Sequence, residues 1–231
     1  MKAAWYFRVS AHRSLLISCI AIVLVRAYQF FTLDPESGIV NYHTITPIGL
    51  AVFVFTPLLV FPLSHIIDPF TKTSVVIRIN DSIALVLRFC ALAFLFSLAF
   101  ALTLNLTASI LVAVHNATTF EDTLVLAATV GCQTVFFLIC ALIFFCIFAL
   151  TQKSYIAYIV LLCYVVWDYV VLYIPANLPS IGWGLTQFSI DSYDYAAVAA
   201  NASALVCISI ALILGNLIIA RGSSFLGNPG V

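Results

Sequence analysis

Six apolar runs, each about as long as a bilayer is thick, dominate this chain. They fall at about residues 14–31, 48–67, 83–106, 123–150, 155–175 and 196–220. A hydrocarbon core of about 30 Å takes about 20 helical residues to cross. Inside lipid every backbone N–H and C=O must be satisfied by the protein itself, which leaves only helices or closed barrels. The period-two alternation of a barrel strand is absent, so the runs read as helices. Composition agrees: 64% of the residues are apolar, 8% are charged, and the mean hydropathy is +1.18. A soluble domain is about 45–50% apolar and about 25% charged. The expectation is an all-α integral membrane protein with six transmembrane helices, a single transmembrane domain over residues 1–231. What lies between the runs is too short for a soluble domain.

The third run is the irregular one. Ile83–Val114 is 32 residues long, more than one perpendicular crossing needs. It is expected as a tilted span to about Leu106, broken near Asn105, with a short surface helix after it.

Charge placement sets the orientation. Lys2, Arg8, Arg13, Lys72, Arg78, Arg88, Lys153 and Arg221 fall on one side of a six-span chain, and only Arg26, inside the first run, departs. The opposite connections carry Asp34, Glu36, Glu121, Asp122, Asp191 and Asp194, with no Lys or Arg. Basic residues are retained on the cytoplasmic side during insertion, so both termini are expected there. A cleaved signal peptide fits the start less well. Arg26 and the bulky Tyr28–Phe31 stand where a small-residue cleavage site belongs.

Motifs for chemistry are missing. The sequence has no G-x-x-x-x-G-K-[ST] loop for nucleotide phosphates, no H-E-x-x-H and no G-x-S-x-G. His12, His43, His65 and His115 are scattered over both sides. The seven cysteines (Cys19, Cys90, Cys132, Cys140, Cys146, Cys163 and Cys207) all sit in the runs without a C-x-x-C, as small hydrophobes do. Asn105, Asn116 and Asn201 each open a glycosylation triplet, of which only Asn116 plainly faces the outer side.

Three polar features stand against this background. The cytoplasmic loop from Asp68 to Ser82 opens with Asp68-Pro69, an N-cap and N1 pair from which a short helix can restart. Phe70, Val75, Val76 and Ile79 stay apolar where water should reach them. The loop therefore lies on the membrane surface, docks into a partner's groove, or is an ordinary connection with an interfacial turn. The outer segment 176–195 holds Pro179, Gly182 and Gly184 among Trp183, Phe188, Tyr193 and Tyr195. That mix suits a backbone dipping back into the interface, or a plain belt of aromatic anchors. Third, Arg26 and Asp168 both lie about 8–10 Å below the outer ends of their spans, at about 1.5 Å per residue. Equal depth and opposite sign make an intramembrane pair or two separately solvated side chains.

Taken in order, these parts resemble the membrane subunit of an ABC-2-type ABC transporter, the small bacterial kind whose ATPase is a separate chain. The matching elements are the basic, aromatic start Met1-Lys-Ala-Ala-Trp-Tyr-Phe-Arg8 and the six spans. The Pro57- and Pro62-bent second span, Val75-Val-Ile-Arg78 and the 176–195 segment complete them. The resemblance implies an N-terminal interfacial helix over 2–12 and a re-entrant outer hairpin between helices 5 and 6 carrying Trp183 and Phe188. It also implies an ATPase-docking loop with Phe70, Lys72, Val75, Val76 and Arg78. By the same resemblance the partners are ABC ATPase subunits and a second permease subunit, identical or not, within the cytoplasmic membrane, and no nucleic acid. ATP and magnesium belong to the partner ATPase, and this chain holds no cofactor. The cargo class that suits an apolar, nearly uncharged pathway is an amphipathic peptide, a lipid or a hydrophobic small molecule. Two rival classes stay open. A substrate-capture membrane component would show a polar pocket near the outer face; an intramembrane enzyme would need Asp168, His65 and His115 to converge.

Overall fold

The computed structural model describes residues 2–32, 50–70, 82–115, 120–172 and 195–222. Among them are six helices and no strand: α1 (Lys2–Thr32), α2 (Thr56–Phe70), α3 (Ser82–His115), α4 (Phe120–Thr151), α5 (Ser154–Leu172) and α6 (Tyr195–Gly222). A single π-helical turn, Ala51–Phe55, leads into α2. Four of the helices, α3 to α6, are long and apolar enough to cross a membrane, and α2 contributes a shorter apolar stretch, Phe53–His65.

Cross-helix contacts fix the directions. Residue numbers fall on α4 as they rise on α3, from Phe89–Phe145 through Phe100–Phe137 to Asn105–Gln133. The pair is an antiparallel hairpin. Ser18–Leu58 and Arg26–Phe55 run oppositely on α1 and the start of α2. Cys19 of α1 also meets Thr103 of α3, and Asn216 of α6 meets Leu142 of α4.

The core sits around α4, which packs against α2, α3, α5 and α6. Two-thirds (67%) of the α4 membrane window is buried, against 17% for α6 at the periphery. Without a hydrophobic driving force between helices in lipid, close packing has to hold the bundle together. Here phenylalanine supplies it: Phe136, Phe137, Phe144, Phe145 and Phe148 of α4 interleave with Phe89 and Phe100 of α3. The Phe89 and Phe145 rings stack at 4.1 Å. Large apolar side chains also cover the outside, with Leu16, Ile20 and Leu24 on α1 and Val206, Ile210, Leu214 and Ile218 on α6 exposed in four-residue steps. Such stripes on every outer face are what lipid, not water, solvates.

Three expectations need correction. No break occurs near Asn105: α3 runs continuously to His115. The Asn105 side chain turns its amide onto the Ala101 carbonyl one turn back and onto Gln133, so the polar residue is absorbed into helix packing. Residues 2–12 are not a helix apart from the first span, since α1 continues from Lys2 to Thr32 with no proline or glycine to interrupt it. Asp68-Pro69 closes α2 and does not open a new helix. The preceding helix runs on through both residues to Phe70.

Candidate functional site

Proline chemistry shapes the entry of α2. A proline ring collides with the carbonyl four residues back in a regular α-helix, and proline offers no N–H. For Pro57 that carbonyl belongs to Phe53, inside the π turn, whose wider path relieves the collision. For Pro62 it belongs to Leu58. The orphaned Leu58 oxygen accepts a hydrogen bond from Ser18 Oγ of α1 at 2.8 Å.

Around this irregular start of α2 the bundle gathers several of its buried polar groups. Arg26 of α1 is 2% exposed, donates from Nη1 to Gln29 Oε1 at 3.2 Å, and lies 5.5 Å from the centroid of the Phe55 ring. That guanidinium–ring geometry is a cation–π contact. Gln29 and Thr56 are buried as well, one turn along α1 and next to Phe55 in the chain. The π turn also packs against α5, which carries Asp168, 6% exposed. Asp168 lies within electrostatic range of Cys140 on α4 and of Tyr164 one turn earlier on α5. Both ionisable residues singled out from the sequence are thus buried on helices that border the π turn.

The other predicted residues fall elsewhere. Phe70 is the last residue of α2. Lys72, Val75, Val76 and Arg78 of the cytoplasmic loop, and Trp183 and Phe188 of the outer segment, lie outside the described residues. His65 sits toward the opposite end of α2 from the π turn. Its Nδ1 donates to the Phe61 carbonyl at 3.0 Å, and its ring meets Phe61 edge to face. Asp168 is four residues from the end of α5, at the end of the bundle where α2 begins, so His65 and Asp168 do not converge. Among the described residues no group of three or more His, Cys, Asp or Glu side chains could hold a metal ion.

Two buried polar contacts have no counterpart in the sequence reading. Asn105 Nδ2 donates to Gln133 Oε1 at 2.6 Å across α3 and α4, and Asn216 Nδ2 of α6 donates to the Leu142 carbonyl of α4 at 3.1 Å. A sequence signal exists for both, an amide residue in an otherwise apolar run, but it names no partner. Asn105 is 1% exposed inside α3, which removes it as a glycosylation acceptor. No family model matches the chain, and neither a curated protein nor a solved structure is similar to it.

Proposed function

We propose that this chain is the membrane permease subunit of an ATP-driven transporter, six-spanning, with both termini on the cytoplasmic side of the cell membrane. The observation that carries the reading is the surround of the π turn. Two ionisable residues, Arg26 and Asp168, are held inside an apolar bundle beside the π turn that leads into α2, the helix that carries Pro57, Pro62 and Pro69. Charged groups at such depth are costly and mark pathways or moving parts in membrane proteins. π turns also concentrate at functional positions. In this reading Arg26 and Asp168 form a gating pair, and α2 transmits the stroke from its cytoplasmic end. The loop beyond Phe70, with Lys72, Val75, Val76 and Arg78, docks on a separate ATPase that binds ATP and magnesium. A second permease subunit completes the pathway, and the segment with Trp183 and Phe188 forms a re-entrant hairpin on the outer side. The cargo is an amphipathic peptide, a lipid or a hydrophobic small molecule.

A substrate-capture component of another transporter is the second reading, and one observation favours it. Arg26, Gln29, Thr56 and Asp168 collect polar groups toward one end of the bundle, as a capture pocket requires.

Co-purification in mild detergent separates the two. The permease reading expects an ATPase and a permease chain to accompany the wild type, and Val76→Asp to lose the ATPase while its thermal melting stays unchanged. An apolar side chain buried in a groove contributes about 1.5–3 kcal/mol, and a charge placed there adds a desolvation penalty. Binding should weaken by more than about tenfold, since about 1.4 kcal/mol is a factor of ten. An ATPase retained by Val76→Asp would make the loop an ordinary connection and overturn the docking reading.

A further inference from the structure

Two defects and one cross-helix bond make α2 unlike the other five helices. Pro62 leaves the Leu58 carbonyl without its intrahelical donor, and in lipid no water replaces it. The completely buried Ser18 of α1 supplies the donor at 2.8 Å. Five residues earlier, Pro57 follows the π turn Ala51–Phe55. The first half of α2 is therefore joined to its second half through a gap in the hydrogen-bond ladder at Leu58–Pro62. It is held to α1 at two points, by the Ser18 hydroxyl at the gap and by the Arg26 guanidinium over the Phe55 ring before it.

We propose that α2 is a hinged helix whose π-turn half pivots at Leu58–Pro62, and that the Ser18 hydroxyl is the latch holding it against α1. The latch has two positions available to it. A helical serine can also bond to the carbonyl four residues back, here Ser14, so the hydroxyl keeps an acceptor when it releases Leu58. The freed Leu58 oxygen is then met by water entering from the end of the bundle where α2 begins. The hinge is a property of this chain, whatever cargo or partner it serves.

The test compares wild type, Ser18→Ala, Ser18→Thr, Pro62→Ala and the Ser18→Ala/Pro62→Ala double variant, each as the full chain in lipid nanodiscs. Hydrogen exchange is followed at the amides of residues 53–61 and, as a control, of 136–148 in α4. Ser18→Ala should speed exchange in 53–61 about tenfold, which is about 1.4 kcal/mol of local opening. Ser18→Thr, which keeps the hydroxyl, should stay close to wild type. Pro62→Ala restores a backbone donor to Leu58, so it should slow exchange and abolish the effect of Ser18→Ala. Equal effects of Ser18→Ala with Pro62 intact and with Pro62→Ala already in place would overturn the latch. So would no effect in either, or a matching rise in α4.

Discussion

Asn105 commits both N–H groups of its side-chain amide, one to the Ala101 carbonyl at 2.7 Å and one to Gln133 Oε1 at 2.6 Å. Such a bond between helices is worth about 0.6–2 kcal/mol in a membrane, and stranding one partner in a buried site costs more than the bond itself contributes. Asn105→Leu and Gln133→Leu should each destabilise the protein by about 1–2 kcal/mol, while the double variant should cost less than their sum. Thermal unfolding of the four proteins in one detergent measures the cycle. Additive losses would mean that the two amides do not act as a pair. The expected break at Asn105 shows where residue-level reading stops. A polar residue in an apolar run is visible in sequence, but whether it ends the helix or is absorbed depends on a partner 28 positions away. Arg26 and Asp168 were legible for the same reason, as charges in apolar runs, whereas the Phe55 ring beneath Arg26 was hidden among 19 phenylalanines.

Helix placement followed from apolar run length, because lipid requires the backbone to close its own hydrogen bonds whatever the side chains do. Starts and ends lie within a few residues of expectation for α4, α5 and α6, where turn and charge signals flank the runs. The continuity of α1 follows from the absence of proline and glycine over its length, whereas the π turn before Pro57 was not legible, since it depends on how neighbouring helices brace the backbone. The exposed face of α6 carries Ser203, Cys207 and Ala211, with Gly215 a further turn along, and open space surrounds the position a Gly215 Cβ would take. The same is true of Gly131 on α4. In an otherwise regular helix glycine costs about 0.5–1 kcal/mol relative to alanine. Gly131→Ala and Gly215→Ala should therefore each raise the midpoint of thermal unfolding, with single chains in detergent as the sample. A drop for Gly215→Ala would mean that another surface closes on α6 at that point.

On the scale of the whole molecule, the start of α2 and the finishes of α1 and α5 meet at one end of the bundle, around the π turn. Lys153, exposed in the turn between α4 and α5, marks the opposite end. In the six-span reading proposed above, retention of Lys and Arg on the cytoplasmic side puts the Lys153 end inside. Glu36→Cys and Asp191→Cys should react in intact cells with a membrane-impermeant maleimide. Lys72→Cys and Lys153→Cys should react only after the membrane is opened. The native cysteines give little background, because all seven lie within the six helices and away from the connecting loops. The Lys153 position carries the most weight, since the turn it occupies joins two helices that are each long and apolar enough to cross. Labelling of Lys153→Cys from outside would reverse the orientation of α4 and α5. Because α4 packs against α2, α3, α5 and α6, the proposed cytoplasmic placement of both termini would fall with it.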